Sequence, residues 1–281
     1  MVIHTQKKSL VQALAAVSEN KSIGFVPTMG ALHEGHISLV EKALAENELV
    51  VISIFVNPTQ FNNSADLKTY PRTPDADIAM LEKLKGNLMV YLPEAAEVYD
   101  GPIAANHYNF DGLEHEMEGK FRKGHFDGVG TVVSKLLKII KPQRAYFGEK
   151  DYQQLQIVKK LVALEKLPVT IVGCPILREA NGLAMSSRNK RLSAKQFEEA
   201  ALIFKTLNEV RENFSRKSIA ELNAMVAERF LQNGNLNLEY FEIANAATLK
   251  TAKRKNKASK YRAFVAAFAG DVRLIDNMPL N

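Results

Sequence analysis

Residues 22–36 read SIGFVPTMGALHEGH. The run 22–26 is apolar enough for a buried strand, Gly30 and Gly35 mark a turn, and Ile37, Val40 and Leu44 then recur with the spacing of a helix over 36–47. A strand that turns through glycine into a helix is the first half of a β-α-β unit, the building block of a parallel sheet with helices on both faces.

The flanking sequence continues the alternation. Residues 49–56, LVVISIFV, form an unbroken apolar run rich in β-branched side chains, as expected of a strand covered on both faces. Helix patterns follow at 75–85, 128–140 and 151–165, and strand patterns at 88–92, 144–147 and 169–173. The fold class is therefore α/β, a doubly wound parallel sheet. After about residue 175 the pattern changes. Ser193 with Gln196 and Ser218 with Glu221 have capping-box spacing, Leu192 and Phe197 form a hydrophobic staple, and Gly234 offers a helix stop. Strand patterns at 236–243, 262–269 and 272–275 come next, so 1–175 is expected to be the sheet domain and 176–281 a smaller α+β domain.

Composition narrows the class further. A chain of 281 residues with 46% hydrophobic and 24% charged content belongs with soluble globular proteins. The opening MVIHTQKKSL lacks an apolar signal region, and no apolar run is long enough for a membrane span, so a cytoplasmic protein with no membrane partner is expected. Cys174 is the only cysteine, which excludes an internal disulfide or a cysteine zinc cluster. The net charge of +6 equals the six cations Lys253, Arg254, Lys255, Lys257, Lys260 and Arg262. With no zinc-finger spacing or RNP-type aromatic motif beside it, that segment reads as a solvated loop, and no nucleic-acid partner is expected.

Ligands of open α/β sheets bind beyond the carboxyl ends of the strands. There Gly30 and Gly35 let backbone approach a ligand, and the helix start offers free N–H groups and a positive dipole end. His33 and His36, at i and i+3, share one side of that helix and can donate to charge developing in phosphoryl chemistry. Helix capping, core packing or a plain glycine turn would use the same residues differently; the zinc-protease H-E-x-x-H needs an i, i+4 pair, which this is not.

Three more segments share the layout. FVNPTQF, 55–61, places Asn57 and Gln60 after the second strand pattern; YFGEKDYQQL, 146–155, places Lys150 beside a helix start with Asp151 as its cap and Gln153 and Gln154 as polar readers; LAMSSRN, 183–189, carries two hydroxyls and Arg188 on a loop. Neither a G-x-x-x-x-G-K-[ST] loop nor a G-x-G-x-x-G fingerprint is present. GHFDGVG, 124–130, follows no strand pattern and reads as a loop that starts a helix. Together these segments describe an enzyme that binds a nucleotide and acts on phosphoryl groups.

FVPTMGALHEGH, ISIFVNPTQF, YPRTPDAD, GHFDGV, RAYFGEKDYQQL, EANGLAMSSRN and, less distinctively, RLIDN resemble, in order, the motif series of the pantothenate synthetase (pantoate–β-alanine ligase) family, within the H-x-G-H nucleotidyltransferases. The resemblance implies a Rossmann-like first domain, a smaller lid domain, a homodimer, and ATP with Mg²⁺. It implies ATP-dependent condensation of pantoate with β-alanine through a pantoyl adenylate, releasing AMP and pyrophosphate. Carried over by motif, ATP would be bound by Met29, Gly30, Ala31, Leu32, His33, Glu34, Gly35 and His36, by Gly148, Glu149, Lys150 and Asp151, and by Leu177, Met185, Ser186, Ser187 and Arg188. His36, His33 and Lys150 would be catalytic. Gln60, Gln154, Val132 and Val133 would hold pantoate, with Gln60 also near β-alanine. Lys123, Gly130 and Asn181 depart from the residues common in the family, and the protein ligands of the metal stay unassigned, Asp77 being as well suited to capping a helix.

Overall fold

The computed structural model describes residues 1–17, 21–61 and 64–281, with only the backbone of 64–66. It divides into two compact units, one of residues 1–114, 121–149 and 154–175, the other of 115–120, 150–153 and 176–281.

In chain order the first part carries β1 (Val2–His4), α1 (Lys7–Ala15), β2 (Ile23–Thr28), α2 (Glu34–Glu46), β3 (Leu49–Ile54), α3 (Ser64–Thr69), α4 (Pro74–Leu81), β4 (Leu88–Tyr91), α5 (Ala95–Val98), α6 (Met117–Phe121), α7 (His125–Ile140), β5 (Arg144–Gly148), α8 (Tyr152–Leu164) and β6 (Thr170–Cys174). The six strands pair in parallel in the order β1-β4-β3-β2-β5-β6. The chain winds outward from β2 to β4 and then crosses to β5 on the other side of β2. The carboxyl ends of β2 and β5 therefore flank the point where the winding reverses, the usual crevice of such sheets.

Local chemistry explains the elements. Every residue of β3 is buried, including Ser53 within its otherwise apolar run. β2 extends two residues beyond the expected 22–26 and includes Pro27, which supplies no N–H to a ladder. It is tolerated because β5 pairs with β2 only at Gly24 and Phe25. The short β1 and α1 are additions; three residues paired to β4 from the far end of the sheet leave no local signature.

α7 begins at His125, three residues before the expected start, so most of GHFDGVG is helix rather than loop. Gly124, at φ 76°, makes the entry. Gly128 and Gly130, poor helix formers, hide the periodicity, but both are needed for close packing. A Cβ on Gly128 would lie 2.3 Å from the Thr59 carbonyl oxygen, and one on Gly130 within 3.1 Å of the stacked rings of Tyr108 and Phe110.

In the second unit α9 (Ala194–Asn213) and α10 (Ile219–Asn233) precede an antiparallel sheet of β7 (Asn237–Asn245), β8 (Tyr261–Ala269) and β9 (Val272–Pro279). Both capping boxes form, and Gly234 ends α10 at φ 67°. Ile203, Leu207, Leu222, Val226 and Phe230 pack with Val265 and Leu274 in one apolar cluster. β9 continues four residues past the expected 272–275 because Asp276 and Asn277 interrupt the apolar pattern while being 3% and 2% exposed.

Residues 115–120 are fastened within this unit by ion pairs. Arg273 donates to both oxygens of Glu118 at 2.8 Å, Tyr240 donates to Glu118 at 2.8 Å, and Lys120 pairs with Glu242 at 2.9 Å. Among the described residues, no helix is long and apolar enough to cross a membrane.

Candidate active site

In the first unit the turn after β2 is built by a few buried polar groups. Thr28 Oγ1 donates to the Ser53 carbonyl at 2.8 Å and accepts the Gly30 N–H at 3.2 Å. The backbone then passes through two positive φ values, Gly30 at 80° and Ala31 at 50°. The second is unfavourable for a residue with a Cβ. Asp77, 1% exposed, holds it there: its carboxylate accepts the N–H of Ala31 at 2.9 Å, the N–H of Leu32 at 2.7 Å and the Thr73 hydroxyl at 3.0 Å.

His33 caps α2, with Nδ1 accepting the Gly35 N–H at 3.1 Å. Capping and hydrogen-bond donation by this ring are compatible. A ring nitrogen that accepts an N–H carries no proton, so neutral His33 is protonated on Nε2, a donor. The rings of His33 and His36 lie 4.0 Å apart between centroids, at 41°. Two imidazoles therefore stand together at the positive end of α2.

Gln60 is positioned by three contacts. It closes a one-turn 3-10 helix, Pro58–Gln60, and is 7% exposed. Its Oε1 accepts from Asn57 at 3.2 Å, its carbonyl meets the His125 ring at 2.8 Å, and its Nε2 approaches Met29 Sδ at 2.7 Å. Asn57 is a frame residue rather than a reader: Tyr99 donates to its Oδ1 at 2.6 Å and its amide also donates to the Gly128 carbonyl. Val132 and Val133 are buried on α7, 6% and 4% exposed. Gly148 ends β5 with nothing within 4 Å of a hypothetical Cβ, followed by Glu149; Gln154 lies half-buried on α8.

In the second unit Lys150 and Asp151 complete a one-turn 3-10 helix begun by Glu149, and α8 starts at Tyr152. Gln153 is spent internally, accepting the Glu118 N–H at 3.0 Å and donating to the Glu116 carbonyl at 2.7 Å. The polar-reader role expected of it does not fit that burial, whereas Gln154 as a residue is only half-buried.

Leu177, 40% exposed, and Met185 sit at opposite ends of a small hairpin closed by an Arg178–Ala184 bridge and a Met185 N–H bond to the Leu177 carbonyl at 3.1 Å. Asn181 turns its tip, accepting from Leu183 and donating to the Phe197 carbonyl, which an aspartate could not do. Ser186 caps the short helix Ser187–Arg191 by accepting the Arg188 N–H at 3.3 Å; Ser187 is buried and Arg188 partly buried.

The described residues hold no group of three or more His, Cys, Asp or Glu side chains suited to a metal. Asp77 already accepts two N–H groups and a hydroxyl, so it does not fit a resident Mg²⁺. Cys174 is 3% exposed, and burial pushes its thiol up to about 11.

Strand order, switch-point loops and the paired histidines at a helix start define a doubly wound α/β protein with an H-x-G-H turn at its switch point. The sequence model of the Pantoate-beta-alanine ligase family matches residues 2–279. The chain belongs to that family. It is 53% identical to the pantothenate synthetase of Flavobacterium psychrophilum, with 94% of each chain covered, and 52% identical to that of Christiangramia forsetii over the full length of both. The crystal structure of pantothenate synthetase from Thermus thermophilus superposes with a TM-score of 0.91 at 38% identity, covering 100% of this chain and 99% of that one. The Francisella tularensis pantoate-beta-alanine ligase, described as complexed with beta-gamma ATP and beta-alanine, gives 0.82 at 38% identity, covering 100% and 98%.

Proposed function

We propose that the protein condenses pantoate with β-alanine in two steps driven by ATP. A pantoate carboxylate oxygen attacks the α-phosphorus, the bond to the bridging oxygen breaks, and pyrophosphate leaves. The β-alanine amine then attacks the acyl carbon of the pantoyl adenylate, loses a proton, and AMP departs with the oxygen that linked it. No protein nucleophile is needed, so catalysis rests on positioning and on neutralising charge.

The observation that carries this reading is the His33–His36 pair at the start of α2, with Nε2 of His33 left as a donor by its own cap. In this reading Met29, Gly30, Ala31, Leu32, His33, Glu34, Gly35 and His36 line the nucleotide site, and the two imidazoles donate to phosphate oxygens as charge grows. Gly148, Glu149, Lys150 and Asp151, with Leu177, Met185, Ser186, Ser187 and Arg188, complete that site, and Lys150 and Arg188 offset the negative charge of both substrates. Gln60 and Gln154 bind the pantoate hydroxyl and carboxylate, Gln60 also lying near β-alanine, and Val132 and Val133 receive the geminal methyls. Mg²⁺ enters as the counter-ion of ATP, which needs few protein ligands. A cytoplasmic homodimer is the working form.

The test is exchange of labelled pyrophosphate into ATP, first with pantoate alone and then with β-alanine while AMP is followed. Exchange that needs pantoate but not the amine, with AMP and pantothenate appearing once the amine is added, is the expected result. Folded protein that shows neither exchange nor AMP formation with Mg²⁺ present would sink the reading.

A further inference from the structure

Two neighbouring residues of β9, Asp276 and Asn277, face opposite sides of the second unit's sheet, as successive strand residues must. Each is nearly inaccessible, and each holds a different segment. On the side of the apolar cluster the Asp276 carboxylate pairs with Arg178, at 2.6 Å to Oδ2 and 3.1 Å to Oδ1. Arg178 also donates to the Gly182 carbonyl at 3.1 Å and lies over the Phe204 ring at 4.1 Å. It is thus the partly buried root of the 177–185 hairpin, whose far end leads directly into Ser186, Ser187 and Arg188. On the other side the Asn277 amide donates to the carbonyl of Lys150 at 2.8 Å. Its Oδ1 accepts from Arg262, whose guanidinium stacks on Tyr152 at 3.9 Å.

One strand therefore grips the backbone of Lys150 and, through Arg178, the base of the loop bearing Arg188. We infer that Asp276 and Asn277 are a positioning pair that sets Lys150 and the Ser186, Ser187 and Arg188 loop for binding the ATP phosphates. The inference rests on the nucleotide-binding role proposed above for those residues. Neither member of the pair needs to touch the nucleotide; both act through a main-chain or side-chain grip on residues that do. A generic fold-stabilising role is the alternative. It predicts altered stability without selectivity between substrates.

The experiment measures kcat and the KM of each substrate for Asn277→Ala, for the double variant Asp276→Asn with Arg178→Gln, and for Lys150→Ala. The double change removes both charges of the pair together, so neither is left unpaired. The expected result is a KM for ATP raised about tenfold or more in Asn277→Ala and in the double variant, with the KM for β-alanine within about twofold of wild type. Should Asn277→Ala not fold, Asn277→Asp keeps the acceptor for Arg262 and removes only the donor to Lys150, with the same outcome expected. Folded variants with a wild-type KM for ATP, alongside a defective Lys150→Ala, would overturn the positioning pair alone. An unimpaired Lys150→Ala would overturn the nucleotide site and the pair with it.

Discussion

The Asp77 carboxylate accepts the N–H of Ala31 at 2.9 Å, 46 residues away in sequence, and so holds Ala31 at φ 50°. A non-glycine residue in that region costs about 1–2 kcal/mol, so the turn that delivers His33 is maintained from outside itself. Asp77→Ala strands two buried N–H groups, at about 1–3 kcal/mol each, and should lower pyrophosphate exchange far more than the stability loss explains. Adding Ala31→Gly, which tolerates the turn, should restore part of the exchange. Exchange unaffected by Asp77→Ala in folded protein would remove this residue from the account.

The two uses of His33 are separable. Asparagine is a good N-cap and alanine a poor one, so His33→Ala should cost about 1 kcal/mol and His33→Asn much less. Both should abolish exchange, because neither carries an imidazole donor. Thermal unfolding and exchange measured on the same preparations check this; an active His33→Asn would reduce the histidine to a cap.

Gly128 fixes how closely α7 approaches the Gln60 turn. A methyl group there would lie 2.3 Å from the Thr59 carbonyl oxygen and 2.6 Å from Gln60 Cα, both backbone atoms. Gly128→Ala should destabilise by about 1–3 kcal/mol as the turn is pushed away, and the KM for pantoate should rise with it. A wild-type pantoate KM would show that Gln60 does not read that substrate.

Glu165 gives a pH test of the first unit. Burial alone would raise its carboxyl, but hydrogen bonds from Lys138, Ser134 and Tyr108 overcome this and hold it below the ordinary 4.5. The unfolded chain therefore takes up the proton first, so the stabilisation is full above 4.5 and fades as pH falls through the lower folded value. Glu165→Gln should be less stable than wild type at neutral pH, and the gap should close in acid. Urea unfolding from pH 7 downward reads it; a gap that widens in acid would contradict the sign.

Cys174, buried at the end of β6 with its thiol raised to about 11, should resist alkylation in the native state at pH 8 and react once unfolded. Cys174→Ser should retain exchange activity. Rapid native labelling accompanied by inactivation would point to a role that burial argues against.

Features encoded locally are legible in the sequence. The apolar run of β3 needs no partner to be recognised, and each capping box is complete within four residues. The partners of Asp77 are not legible, because its position in PDAD looks like any helix-start acid while the groups it serves lie 46 and 45 residues earlier in the chain. Asp276 and Asn277 failed the strand pattern for the opposite reason: they are polar residues made compatible with burial by Arg178 and Arg262, contacts that no periodicity encodes. The capping role of His33 was visible as an option, but its effect on the tautomer emerged only with the bond to Gly35.

The chain passes between its two units five times, because 115–120 and 150–153 belong with 176–281. A gene cut after codon 175 would separate Glu118 from Arg273 and Tyr240, and the Lys150 carbonyl from Asn277. The first fragment would then hold all of the first unit together with two stray segments of the second, and the second fragment would lack part of its own unit. Cutting there is therefore a poor route to the second unit alone, and chimeras with relatives that exchange the last third of the chain must also exchange the two short inserts.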